Sequence, residues 1–272
     1  MPITERGDST SSIDEYLQCM CEDAGAGVEE ITDRDFGEGV LEPDFRSQLI
    51  AIRIVLERNH EAEEKVSAEI KKLEADIRER GGNSWMVDRW VDELYSSTFL
   101  DSTHSMAAVA LIVPLMESLF DRAFRYLKHA IGESHSLGSG HERWQLDDPW
   151  DHRYMWKRGR RSRGIAKGIV QLAEAIDLRK HLPGDLERTL SVLFKYRNKM
   201  FHCGLEWPKE DVKHFANLIR SNGWAECFAR AESGRDPCTF YMSREFIDHC
   251  LDTVDEVIAG IGAYVRLHVH LF

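Results

Sequence analysis

Eleven consecutive residues, Met106 to Met116 (MAAVALIVPLM), include no polar side chain. A helix that is apolar all round has to be enclosed on every side. The run is about half the length of a bilayer span, so it predicts the central helix of an all-α bundle. Asp101-Ser102-Thr103 offers the side-chain caps of a helix start. The expectation is a helix from 101 to about 131, bent at Pro114. A chain of 272 residues with 43% hydrophobic content is large enough to surround it. The six cysteines are scattered, and MPITERGDSTSS lacks the basic-then-apolar order of a secretory signal. Reduced thiols in the cytoplasm, with no membrane contact, are the corresponding expectation.

Three segments follow from the patterning. Residues 1–40 are an acidic, weakly structured leader, with Ile13, Tyr16, Leu17 and Met20 spaced for a short helix and Asp23 to Gly39 expected to be loop. In residues 41–100, Glu42-Pro43-Asp44 opens a long helix. Its seam of Phe45, Leu49, Ile52, Leu56, Val66, Ile70, Leu73 and Ile77 is interrupted at Asn59 and Glu63 and stops at Gly81-Gly82. So long an element packs along the bundle or across a dimer, or hinges near Asn59. Trp85, Met86, Trp90, Val91, Leu94 and Tyr95 form a short aromatic-rich helix after it. Residues 101–272 are the bundle proper. Gly132 to Asp151 is expected to be loop; its Gly138-Ser139-Gly140 lacks the context of a phosphate loop, and His129, His135 and His141, six apart, lack the spacing of a metal site. No metal or cofactor is expected. Further helices are expected over 165–176, from Val212 to about Asn222, and from Ser243 to about Val269, with an extended piece at Thr239–Met242.

Leu186 to Trp207 (LERTLSVLFKYRNKMFHCGLEW) carries the chemistry. Leu186, Leu190, Leu193, Phe194 and Met200 recur at helical steps, and Gly204 and Pro208 stop the helix. Asn198 and His202 lie ~40° apart on one face, whereas Arg197 and His202 are offset by ~140°. An imidazole can give and take protons near neutral pH, and a guanidinium fork matches phosphate.

Arg197-Asn198-Lys199-Met200-Phe201-His202 resembles the Arg-x4-6-His motif, in its R-N-x-x-x-H form, of HEPN domains. These are small all-α bundles of prokaryotic toxins, phage-defence proteins and several RNA-cleaving enzymes. The resemblance covers roughly Asp101 to Phe272. It implies an HEPN-like helical bundle, extended here by the long N-terminal helix and the acidic leader. It also implies a metal-independent endoribonuclease, a toxin or antiviral defence effector, leaving 2′,3′-cyclic phosphate and 5′-hydroxyl ends. His202 would assist proton transfer, Arg197 would hold the scissile phosphate, and Asn198 would orient one of these groups. Glu117 is the candidate acidic residue beside the pair, with Asp121 the other. The family often builds its site across a two-fold axis, which implies a homodimer, and an antitoxin or inhibitor protein is the further partner implied. The alternative is a non-catalytic RNA- or protein-binding module in which Arg197 pairs with Glu117 or Asp121. A third reading makes the 44–80 helix the working part of a coiled-coil assembly protein.

The net charge of −12 does not exclude RNA, because it is unevenly distributed. Residues 1–44 hold 13 acidic and 2 basic residues, leaving 34 acidic against 33 basic in the other 228. Residues 152–167 (HRYMWKRGRRSRGIAK) carry seven Lys and Arg and no acid, interleaved with Tyr154 and Trp156. Cations pair with phosphates and aromatic faces stack on unpaired bases. Arg153, Lys157, Arg158, Arg160, Arg161 and Arg163, with Lys199 of the motif, are therefore the candidate RNA-binding residues. The competing reading is a solvated loop that partners the acidic leader.

Overall fold

The computed structural model describes residues 32–41, 44–136, 140–233 and 236–268. Among them the chain is all-α in class, with seven α-helices and two small antiparallel hairpins. The helices are α1 Asp33–Leu41, α2 Phe45–Arg80, α3 Ser84–Ser136, α4 Ile165–Ala175, α5 Leu186–Cys203, α6 Lys209–Asn222 and α7 Arg244–His268. The chain divides into two compact units: one comprises Leu119–Pro183 and Asp255–Phe272 with the segment ending at Phe45, the other Arg46–Ser118 and Gly184–Val254. Each unit is assembled from non-consecutive stretches, because α3 and α7 both pass through a unit boundary.

The most informative departure from expectation is α3. It does not begin at Asp101 but runs unbroken from Ser84, absorbing the short aromatic helix and part of the 132–151 loop. The hydroxyls expected to cap it turn back instead. Ser102 donates to Thr98 O at 3.0 Å and Thr103 to Phe99 O at 2.7 Å, with no Gly or Pro nearby to break the ladder. Ala108, Val109, Ile112, Val113, Leu115 and Met116 are buried, as the apolar run requires. Enclosure is incomplete, however: Ala110 and Pro114 are exposed along one strip. The carbonyl that Pro114 deprives of a partner is that of Ala110, and its exposed position lets water satisfy it. By length and composition Ser84–Ile131 is apolar enough to cross a membrane, and half of its most apolar window is buried inside the structure.

In the unit holding the motif, α2 is continuous over 36 residues, about 54 Å, with no hinge at Asn59. Among the described residues its buried side chains after Phe45, which is itself buried, are Leu49, Ile52, Leu56 and Ile70. Beside α3's neighbouring stretch, Trp85, Val87, Val91, Leu94 and Tyr95 remain exposed. Strands β3 (Phe228–Ser233) and β4 (Asp236–Met242) form a hairpin with a register shift at Ala231/Glu232. Of these only the end of β4 was expected.

In the other unit, α1 replaces part of the loop expected over 23–39. Thr32 and Asp35 form a reciprocal cap, with Thr32 N–H donating to Asp35 at 3.0 Å and Asp35 N–H to Thr32 at 3.2 Å. Gly37 lets α1 meet the α7 backbone at Ile258, and Arg34–Asp255 and Arg266–Asp33 ion pairs at 2.5 Å hold it there. The rest of the leader, residues 1–31, lies outside the described residues. Strands β1 (Tyr154–Lys157) and β2 (Arg160–Arg163) form the second hairpin, closed by Arg158 (φ 53) and Gly159 (φ 76). Two positive φ angles make this the turn that matches strand twist. Arg143 is fully buried beneath it, donating to the carbonyls of Pro149 (2.6 Å), Tyr154 (3.0 Å) and Asp151 (3.0 Å).

Candidate functional site

Helix α5 is fixed by its apolar face. Leu186, Leu190, Leu193, Phe194, Tyr196 and Met200 are buried. Tyr196 OH donates to Phe240 O at 2.8 Å, and its ring lies 5.1 Å from Phe228 and 6.0 Å from Phe215. Burial pushes the Tyr196 hydroxyl well above its ordinary pKa. Gly204, at φ 70, returns its N–H to Met200 O at 2.8 Å and ends the helix where the motif stops. The end of the motif helix is thus held against α6 and the β3–β4 hairpin by an aromatic cluster, so the positions of its polar residues are set.

Those residues divide into two sets. Arg197 turns inward and its Nη2 donates to Glu117 Oε1 at 2.8 Å, across 80 residues of sequence. Both side chains are about one-third exposed, at 34% and 36%. Arg197 Nε is buried with no hydrogen-bond partner, so the guanidinium retains an unused donor. Asn198 and His202 are exposed, and so is Phe201 at 57%. Among the described residues no hydrogen bond joins Arg197 to His202. Lys199 is not a free cation: its side chain is 16% exposed and pairs with Asp211, which also accepts from Cys203 Sγ at 3.6 Å. The Lys199 contact holds the Asp211 carboxyl below the usual carboxylate range. Asp211 was not singled out from the sequence, and its only signal was the acidic first turn of α6 after Pro208.

Asp121, the other acidic candidate, pairs with Arg125 at 2.6 Å in the other unit. It borders a cleft with Phe124, Lys128, His152 and Arg153. Burial lowers the His152 pKa, opposed by the Asp121 and Asp151 carboxylates.

The basic stretch is the β1–β2 hairpin of that same unit. Arg153 is held by Asp151 at 2.7 and 2.9 Å, and Arg161 stacks 3.5 Å over the Tyr154 ring while reaching Asp151 at 3.8 Å. Lys157, Arg158, Arg160 and Arg163 are exposed, and among the described residues no carboxylate pairs with them. Lys157 sits directly opposite Arg160, a like-charge pair that weakens the hairpin. The hairpin is instead held from below: Gln171 of α4 clasps the Trp156 backbone through two 2.9 Å hydrogen bonds. Gly168 of α4 leaves room for the carbonyls of His152 and Tyr154, where a Cβ would collide with both.

His141 caps the 3₁₀ turn at Glu142–Gln145, accepting from Arg143 N–H at 3.1 Å. His129 is exposed. Comparison of the chain with protein-family models, with curated proteins and with solved structures finds no match.

Proposed function

We propose that the chain is a metal-independent endoribonuclease of the HEPN type. The observation that carries the reading is the exposure of His202 and Asn198 on the last turns of α5, beside an Arg197 that Glu117 holds at 2.8 Å. Glu117 holds the Arg197 guanidinium, and the exposed third of that side chain, rather than its buried Nε, would meet a phosphate oxygen. His202 would take the proton from the ribose 2′-hydroxyl as that oxygen attacks phosphorus, or return one to the departing 5′-oxygen. The products are a 2′,3′-cyclic phosphate and a 5′-hydroxyl, with atoms balanced and no metal required. Asn198 shares the exposed face of His202 and would orient the phosphate or the imidazole. A homodimer accommodates the offset between Arg197 and His202, and exposed Phe201 supplies apolar surface beside it. The four cations of the β1–β2 hairpin that no carboxylate pairs among the described residues support an RNA partner. Action in the cytoplasm as a toxin or antiviral effector, restrained by an antitoxin or inhibitor, completes the proposal.

The same ion pair favours a second reading. Arg197 satisfied by Glu117, with Lys199 satisfied by Asp211, is also what a non-catalytic RNA- or protein-binding bundle would contain. Incubating wild type, His202→Ala and Arg197→Ala with total RNA in EDTA and mapping product ends decides between them. Cyclic-phosphate ends from wild type alone support the enzyme. No cleavage by a folded wild type leaves the binding module.

A further inference from the structure

The seam of α2 is interrupted at Glu63, where an apolar residue would be expected, and the interruption has a partner on α3. His104 is buried at 7% exposure, and its Nδ1 lies 2.9 Å from Glu63 Oε2. His60, one turn before Glu63, places its own Nδ1 3.4 Å from that same oxygen. One potential ligand atom from each of the three residues lies within 4.8 Å of the other two. All three side chains are at most one-fifth exposed, at 20%, 16% and 8%. All belong to the same compact unit.

Three observations distinguish this cluster from an ordinary His–Glu contact. Zinc bound at about 2.0–2.1 Å with tetrahedral angles places its ligand atoms about 3.3–3.4 Å apart. The two separations from Glu63 Oε2, 2.9 and 3.4 Å, lie within about half an ångström of that value, and the remaining pair, His60 with His104, lies within 4.8 Å. Second, His60 Nε2 faces the Glu64 carboxylate at 3.3 Å. That is the outer carboxylate which, in metal sites, fixes the tautomer that leaves the other nitrogen free to ligate. Third, the acidic groups lack a protein cation. Asp101, one turn before His104 on α3, is near enough to Glu63 and His104 to feel their charge. Yet among the described residues no lysine or arginine pairs with Glu63 or Asp101. The nearby arginines are engaged elsewhere, Arg53 with Asp252 at 2.8 Å and Arg244 with Glu57 at 3.0 Å. His104 Nε2 is also buried without a hydrogen-bond partner among the described residues, so no carbonyl or hydroxyl of the core holds His104 through that nitrogen.

We propose that His60, Glu63 and His104 form a binding site for a divalent transition-metal ion, Zn²⁺ above all, with one coordination position open to solvent. Two imidazoles and one carboxylate are a donor set that zinc accepts, leaving the fourth place for water. Access is provided by a cleft of about 320 Å³ lined by His60 and His104 together with Arg53, Glu57, Arg244 and Ile247. The ion neutralises the carboxylates and ties the middle of α2 to α3. It is independent of the RNA-cleaving reading, which needs no metal.

The full chain, stripped of metal and held in a non-chelating reductant, is titrated with Zn²⁺ alone by calorimetry against a chromophoric chelator. Wild type is expected to bind one equivalent more than Glu63→Gln or His60→Asn, both checked for folding by circular dichroism. Cysteine-bound zinc is common to all three and cancels. The distinguishing equivalent should weaken at least tenfold between pH 7.5 and 5.5, because protons compete with the metal for its ligand atoms, and should raise the melting temperature of wild type only. Equal stoichiometry in wild type and both folded variants, or no zinc bound at pH 7.5, overturns the proposal. RNA cleavage that persists in EDTA leaves it intact, because the two sites are tested by different readouts.

Discussion

Whether Arg197 is there for chemistry or for packing is a question of magnitude. The perturbation is Arg197→Ala, alone and combined with Glu117→Gln. With both side chains about one-third exposed, at 34% and 36%, the ion pair resembles surface pairs, which contribute about 0.2–1 kcal/mol. Lost contact of the Arg stem adds a comparable amount. The total, about 0.4–2 kcal/mol, corresponds to roughly 1–8 °C in melting temperature at 2–4 °C per kcal/mol for a chain approaching this size. A guanidinium that binds the scissile phosphate is worth far more to the reaction, since removing one transition-state donor costs about 10²–10³ in rate. The assay pairs thermal unfolding with cleavage of total RNA in EDTA. The expected result is a small loss of stability, little coupling between the two substitutions, and cleavage reduced at least 100-fold. The opposite pattern would refute the reasoning. That pattern is a loss of about 3–5 kcal/mol, as when one partner of a buried pair is removed, largely restored by adding Glu117→Gln, with cleavage unaffected by folded variants.

Replacing Lys157, Arg158, Arg160 and Arg163 together by alanine should flatten the salt dependence of single-stranded RNA binding by nearly three log–log units, at about 0.7 per lost phosphate contact. An unchanged slope in filter-binding titrations would remove the hairpin from the interface. Arg143→Met removes a buried donor from three part-buried carbonyls, each bond contributing about 0.5–1.5 kcal/mol or more, so urea unfolding should register about 2–4 kcal/mol. For Asp101, burial and then the Glu63 carboxylate push the pKa up to about 6 from an ordinary value of 3.8, with His104 opposing. The folded value exceeds the unfolded one, so folding disfavours the ionised carboxylate. The penalty is absent below about pH 4, grows as pH rises through 6, and is complete at neutrality. In metal-free protein Asp101→Asn should therefore stabilise at pH 7.5, by about 1–2 kcal/mol once solvent screening of this partly exposed group is discounted, and change little at pH 4. A variant equally stabilised at both pH values would contradict this origin.

The helical class and most helix identities were legible in the sequence, because amphipathic periodicity and Gly or Pro stops are local signals. Leu186, Leu190, Leu193, Phe194 and Met200 are the buried face of α5, and Gly204 ends it. The start of α3 was not legible. Asp101-Ser102-Thr103 has the composition of a cap, and only the completed ladder shows those hydroxyls turned to carbonyls a turn behind. Nor was the basic hairpin, since Arg160-Arg161-Ser162-Arg163 has no apolar alternation and Arg158-Gly159 is a weaker turn signal than Asn-Gly. Its strands exist because Gln171, Gly168 and buried Arg143 support them from elsewhere in the unit.

By itself, then, the sequence determined what is encoded within a few residues: which faces of which helices are apolar, where α5 stops, and that Asn198 and His202 share a side while Arg197 turns away. Tertiary structure alone decided which distant groups meet. Glu117 reaches Arg197 across 80 residues, Asp211 rather than a phosphate engages Lys199, and Glu63 finds His104 on the next helix. The physical reason is that helical periodicity specifies a face but not its partner. Which carboxylate neutralises which cation depends on how long helices align, and that alignment is set by the summed packing of many side chains rather than by any local signal.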